Sequence, residues 1–151
     1  MTQKVEEKAL SDLQLSAINE LLDKVSKRQK EDFGHIAYDI KDDGTLITSC
    51  DRWSDETLVQ GLSKVTQDEG VLSEEGSQVV PDSEAYWIVD PLDGTTNFAA
   101  GIPYWAISIA RFVEGRPETA FLDIPALNKR IIAIRGKGVW LNQKRLSVDT
   151  R

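Results

Sequence analysis

Between residues 11 and 30 the chain sets Leu13, Ala17, Leu21 and Val25 four apart, with Ile18 and Leu22 widening the stripe. That spacing predicts an amphipathic helix with these residues on its core face, and Ser11 followed by Gln14 has the form of a capping box at its start. Lys27, Arg28 and Lys30 near its end suit the negative pole of the helix dipole. Asp42-Asp43-Gly44 reads as a turn between two short extended pieces, the second running through Leu46 and Ile47 to Thr48. A second helical pattern follows Thr48, with Trp53, Leu58, Leu62 and Val65 on one face and Gly70 as its expected stop.

Beyond Gly70 the apolar runs shorten to strand length. Val71-Leu72 and Tyr86 to Val89 are strand candidates separated by a polar loop containing Gly76 and Pro81. Trp105 to Phe112, Thr119 to Leu122, Arg130 to Ile134 and Val139 to Leu141 then alternate with Gly-Arg-Pro, Pro-Ala-Leu-Asn and Gly-Lys-Gly turns, the pattern of an antiparallel meander. Two helices followed by many strands predict an α/β layered sandwich, the helices packed on a largely antiparallel sheet, with residues 1–151 as one domain.

Composition narrows the partners. The 40% hydrophobic content of 151 residues is enough for one sizeable core. A formal charge of -7 repels phosphate backbones and anionic headgroups, which argues against nucleic acid and membrane as partners. Cys50 and His35 are single residues of their kinds, so there is no internal disulfide or cysteine-based zinc site, and any metal is held mostly by oxygen. The first thirty residues lack the uncharged core of a signal peptide and no run approaches about 18 apolar residues, so the expected location is cytoplasmic.

The candidate chemistry lies in Asp90-Pro91-Leu92-Asp93-Gly94-Thr95-Thr96. Asp90 leaves the C-terminal end of an apolar strand, where α/β proteins commonly place ligands. Asp93 returns a second carboxylate, Gly94 lets the main chain approach a ligand, and Thr95 and Thr96 offer hydroxyls and N–H groups for a phosphate if a helix begins there. The same residues also fit an acidic turn in which Asp93 caps that helix. Glu74 and Glu75 follow the Val71-Leu72 strand, so two neighbouring strands would bring four carboxylates to one sheet edge. Such a cluster repels itself unless a cation joins it, and oxygen donors favour Mg²⁺. Asp51 opens the second helix either as a dipole complement or as a catalytic acid. The spacing D-x-x-D-G-T differs by one residue from the D-x-D-G-T of haloacid dehalogenase phosphatases, which displaces the second carboxylate from its acid–base position there.

Asp90 through Phe98, with Gly101 and Pro103, resembles the first signature of the inositol monophosphatase family. Thr48-x-x-Asp51, Ser73-Glu74-Glu75, Arg135-Gly136-Lys137-Gly138 and Leu141-Asn142 extend the likeness over most of the chain. The resemblance implies a phosphatase that binds two or three Mg²⁺ ions, or Mn²⁺, and is sensitive to lithium. Glu74, Asp90 and the Leu92 carbonyl would hold the first ion, and Asp90 would bridge to a second held by Asp93. Gly94 and Thr95 would receive the phosphate, with Glu74 and Asp93 also facing the substrate. Asp51, Thr95 and Glu74 would be the catalytic residues, the first two orienting the attacking water. The implied substrate is a small phosphorylated polyol or sugar: inositol monophosphate first, then fructose 1,6-bisphosphate, histidinol phosphate or 3'-phosphoadenosine phosphates. A homodimer is expected. Two departures stand out: Ser73 replaces the family's usual glycine, and the Trp-Asp motif of the family's C-terminal half does not appear before Arg151. The expectation is therefore a fragment, a chain completed by a second polypeptide, or a catalytically incomplete metal-binding or interaction domain.

Overall fold

The computed structural model describes residues 8–147. Helix α1 spans Asp12–Asp32 and opens on the expected capping box: the Gln14 N–H donates to Ser11 Oγ at 3.1 Å and the Ser11 N–H donates to Gln14 Oε1 at 2.9 Å. It buries Ile18, Leu22 and Val25, whereas Leu13 is 84% exposed. The reason is the helical period: at 3.6 residues per turn, twelve residues back from Val25 is about 120° off the core face, so a strict spacing of four winds away from it. Leu15 packs against the core at this end instead.

Strands β1 (Tyr38–Ile40) and β2 (Leu46–Thr48) form a two-stranded antiparallel ribbon around the Asp42–Gly44 turn. Helix α2 (Ser49–Val65) begins at once, with Thr48 as its N-cap. It ends at Thr66, before Gly70: the Thr66 N–H and hydroxyl both donate to the Leu62 carbonyl, at 2.9 and 3.2 Å, and the same hydroxyl accepts the Trp87 indole N–H at 2.8 Å. Gly70 instead opens β3, where a Cβ would meet the Pro81 ring at 2.5 Å.

The main sheet has seven strands in chain order: β3 (Gly70–Ser73), β4 (Ala85–Asp93), β5 (Ala106–Val113), β6 (Arg116–Ile124), β7 (Lys129–Ile134), β8 (Gly138–Leu141) and β9 (Lys144–Leu146). The β3–β4 pair is parallel and every other pair antiparallel. A short helix α3 (Thr95–Ala99) links β4 to the approach of β5. Strand β9 escaped the sequence reading because Lys-Arg-Leu carries no apolar alternation; it is reached by a two-residue turn in which Asn142 and Gln143 take φ of 46° and 70°.

Helices α1 and α2 cover one face of the sheet. Ile18, Leu22, Val25, Leu58 and Leu62 meet Trp87, Val89, Ile107, Ile109 and Phe121 there in one core. The strict alternation of β5 sends Ala106, Ser108, Ala110 and Phe112 to the opposite face, where they are half-buried. Tyr86 stacks on Phe112 on that face with ring centroids 5.5 Å apart, and no helix lies over it among the described residues. No described helix is long and apolar enough to cross a membrane.

The two leucines make a direct test of this packing. Leu58→Ala, at a fully buried site, is expected to lower unfolding free energy by about 2–5 kcal/mol, against less than about 0.5 kcal/mol for Leu13→Ala. Urea titration reads both; equal losses would contradict the assignment of the core face.

Candidate functional site

Strand β4 carries a bulge where the chemistry begins. Asp90 lies opposite Ser108 and Asp93 opposite Ala106, so three steps on β4 match two on β5. In an unbroken strand residues three apart point to opposite faces. The extra residue cancels that inversion and sets Asp90 and Asp93 on the open face together, as Ser108 and Ala106 are. Sequence favours the bulge because Pro91 has no N–H to give a ladder. Leu92 is drawn inward, 3% exposed, into a satellite core with Cys50, Phe98 and Trp105, on which Phe33 stacks at 4.8 Å.

Parallel pairing brings the ends of β3 and β4 side by side, Ser73 opposite Val89, and the Glu74 N–H donates to the Val89 carbonyl at 3.2 Å. The Glu74 carboxyl thereby shares a hydrogen bond with that of Asp90, which is pushed up to about 7. Burial is the largest cause, followed by the bond and charge of Glu74 and the charge of Asp93, with the Leu92 N–H opposing them. One Asp90 oxygen, Oδ1, is buried without a hydrogen-bond partner. Glu75 turns the other way, to Lys41 Nζ at 2.7 Å. Of the four acids expected at this edge, Glu74, Asp90 and Asp93 interact and Glu75 pairs elsewhere.

Asp51 divides its two oxygens between the start of helix α2 and Thr95. Its Oδ2 accepts the Thr48 N–H at 2.8 Å and the Thr48 hydroxyl, while its own N–H donates to Thr48 Oγ1 at 3.2 Å, completing a capping box. Its Oδ1 accepts the Thr95 hydroxyl at 2.7 Å. The carboxylate is 1% exposed, so helix α2 holds it rigidly beneath Thr95.

Gly94, not Asp93, is the N-cap of α3, at φ 100°, and no side chain caps this helix. A Cβ on Gly94 would lie 3.1 Å from the Tyr104 carbonyl and 3.3 Å from Trp105 Cα. The glycine is thus required by the protein's own approach to β5, a reason that the sequence reading did not include. Sequence reading also missed Gln29. Its signal was its place in the buried series Ile18, Leu22, Val25, Gln29, a polar residue on the core face of α1.

Among the described residues no three His, Cys, Asp or Glu side chains stand ready as a metal cluster. The donor chemistry fits a hard cation nonetheless, because Asp90 offers an unpartnered buried oxygen and is strained by two neighbouring carboxylates. Asp90, Asp93 and the Leu92 carbonyl in the bulge, with Glu74 at the end of the neighbouring strand β3, are the groups able to hold one.

The raised Asp90 has a pH consequence. Unfolded, the carboxyl titrates near its ordinary value of about 4, so between about pH 4 and its folded value of about 7 the folded state holds the proton more tightly. Stability from this group is therefore present at low pH and falls as pH rises through that window. Asp90→Asn with chelator present is expected to flatten the slope of unfolding free energy against pH; Asp55 and Asp123, raised by burial too, leave a residual slope. Parallel pH curves for parent and variant would contradict the assignment.

Comparison with known proteins agrees with this arrangement. The chain is 36% identical over 113 residues to Nus factor SuhB of Pasteurella multocida, covering 74% of this chain and 42% of that protein. It is 37% identical to the inositol-1-monophosphatase of Rhizobium meliloti, covering 85% and 50% of the two, and 34% identical to the histidinol-phosphatase of Chlorobaculum parvum, covering 91% and 53%. The chain thus spans about half the length of the curated relatives it matches. The IMPase of Thermotoga maritima superposes with a TM-score of 0.81 at 31% identity, over 91% of this chain and 54% of that one. An IMPase/NADP phosphatase complexed with NADP and Ca²⁺ gives 0.83 at 25%, over 95% and 55%. The inositol monophosphatase family model matches residues 3–151, and with the bulged Asp90–Asp93 turn, the Asp51–Thr95 pair and this sheet the chain belongs to that family.

Proposed function

We propose that this chain supplies the cation- and phosphate-binding half of a phosphatase that hydrolyses a small phosphate monoester with an activated water. The observation that carries the reading is the Asp51–Thr95 bond of 2.7 Å beside Asp90, Glu74 and Asp93. With its hydrogen given to Asp51 at 2.7 Å, the nearer and charged acceptor, in preference to the Leu92 carbonyl at 3.3 Å, the Thr95 oxygen keeps its lone pairs for a water. That water's proton passes to Thr95 Oγ1 as the Thr95 proton moves to Asp51 Oδ1, and its oxygen attacks phosphorus as the bond to the ester oxygen breaks; the leaving alkoxide takes a proton from solvent and Asp51 later returns its own to solvent. Glu74, Asp90, Asp93 and the Leu92 carbonyl hold divalent cations, Mg²⁺ or Mn²⁺, and the main chain of Gly94 and Thr95 receives the phosphate. When bound, the cation supplies Lewis acidity toward the phosphate and the leaving oxygen.

Inositol monophosphate is the first substrate choice. The names of an inositol-1-monophosphatase and a histidinol-phosphatase among the relatives support a small phosphorylated alcohol as substrate, with histidinol phosphate as a further candidate. The open sheet face beside Glu74 and Asp90 holds an apolar depression of about 500 Å³ lined by Leu72, Ile88, Ala110 and Phe112. We take this as the seat of the polypeptide that completes the site, in a homodimeric cytoplasmic enzyme. A second reading, a cation-binding domain without turnover, is favoured because Glu74, Asp90 and Asp93 interact without standing as a ready three-ligand group.

Two measurements test the proposal. Millimolar Mn²⁺ or Mg²⁺ is expected to raise the melting temperature of the chain, and Asp90→Asn to abolish the rise; an unchanged parent melting temperature would remove the cation site. In the presence of the completing polypeptide, Thr95→Ala is expected to lower turnover by about 10²-fold to 10⁴-fold while the cation-dependent rise survives. Loss of both together would make Thr95 structural, and an acyl phosphate trapped on Asp90 by rapid quench would replace the water mechanism with a covalent one.

A further inference from the structure

The bulge at Pro91–Leu92 takes two residues out of the β4–β5 ladder, and a main chain so released needs partners from elsewhere. For Pro91 the partner is a side chain on another layer. Gln29, in the last turn of α1 and fully buried, donates from Nε2 to the Pro91 carbonyl at 2.8 Å. The same amide nitrogen donates to Ser54 Oγ on α2 at 3.0 Å, and Gln29 Oε1 accepts the Trp105 indole N–H at 2.9 Å. The amide orientation is forced by its partners, since a proline carbonyl only accepts and an indole N–H only donates. Both amide hydrogens and the amide oxygen are used. One side chain thus joins both helices, the middle of the Asp90–Asp93 turn and the residue against which Gly94 is packed.

This arrangement is mechanically specific. Trp105 fixes the amide from one side, its ring held between Phe33 and Phe98 at 4.8 and 5.0 Å. Ser54 lies one turn along α2 from Asp51, so the helix that carries Asp51 is referred to the Pro91 carbonyl through a single amide. Leu92 enters the satellite core immediately beyond Pro91. The alternative to Gln29 at a buried site is an unpaired carbonyl, and relief of that defect requires Pro91 to move, which carries Asp90 and Asp93 with it.

We propose that Gln29 is a positioning residue for the candidate site: by holding the Pro91 carbonyl it sets the bulge, and through it the spacing of Asp90, the Leu92 carbonyl and Asp93 on which cation affinity depends. The inference rests on the cation-binding reading of this turn. It assigns a role to a residue that touches neither cation nor phosphate, of the kind whose loss weakens metal sites by about 10-fold to 100-fold.

Gln29→Met keeps the length of the side chain and removes both donors; Ser54→Ala removes the bond to α2 and leaves the clamp on Pro91. Calorimetry with Mn²⁺ and amide hydrogen exchange in chelator are read on parent and variants. Gln29→Met is expected to raise the Mn²⁺ dissociation constant about tenfold or more and to speed exchange at Leu92, Asp93 and Gly94 while the N–H groups of β5–β7 keep their protection. Ser54→Ala is expected to leave Mn²⁺ affinity within about twofold even where it lowers the melting temperature, a separation that a merely structural Gln29 would not produce. If Gln29→Met does not fold, Trp105→Phe frees the amide from its other anchor and is expected to shift both readings in the same direction. A folded Gln29→Met, or in its place Trp105→Phe, that binds Mn²⁺ as the parent does overturns the proposal. A parent that binds no Mn²⁺ removes the cation reading itself; exchange then judges the clamp, and unchanged protection at Leu92 to Gly94 overturns that too.

Discussion

Everything distinctive about this domain follows from one extra residue in β4. A strand has a side-chain period of two, so carboxylates spaced D-x-x-D belong on opposite faces of a sheet, one of them under the helices. The bulge at Pro91–Leu92 restores them to one face without disturbing the strand before it, which continues to bury Trp87 and Val89 in the main core. The Leu92 N–H bonds to Asp90 and its carbonyl accepts the Thr95 hydroxyl at 3.3 Å while its side chain enters the satellite core, and Gln29 pairs the Pro91 carbonyl with a side-chain amide. The acidic edge is therefore supported from beneath by two kinds of interaction, apolar packing and a satisfied polar network.

The electrostatic cost of this geometry is visible at Asp90. A carboxyl with a buried, unpartnered oxygen and two acidic neighbours is an unfavourable arrangement for the chain on its own. Natural sequences keep such local conflicts where a ligand resolves them. Asp51 shows the opposite design. It is buried more completely than Asp90, yet both oxygens are bonded, and one carboxylate serves helix α2 and Thr95 together.

Much of the architecture was legible in the sequence because its signals are local. The capping box at Ser11–Gln14, the β1–β2 turn, the strand before Asp90 and the order of the meander all follow from residues within a few positions of one another. The misreadings share a physical cause. Leu13 was placed by a spacing of four where the helix turns every 3.6; Gly70 was read as a stop although Thr66 ends the helix with its side chain. For the site, the residue types of Asp51, Glu74, Asp90, Asp93 and Thr95 and their nearness could be read, but not that Glu75 turns to Lys41. Gln29 shows in the sequence only as a polar residue on the core face of α1; its partners, 25, 62 and 76 residues away, do not.

An open sheet has two edges, and each is an invitation to add strands from another molecule. Here both are blunted. The outermost strand β9 has three exposed residues, two of them Lys144 and Arg145. At the other end β3 has four residues; Pro81 from its own following loop lies against Gly70, and the Ser73 N–H is already given to the Ser77 carbonyl. Sideways growth into a continuous sheet or fibre is thereby disfavoured at both margins. The broad open face of Tyr86, Ile88, Ala110 and Phe112, next to the acids, differs from both margins in being apolar and half-buried.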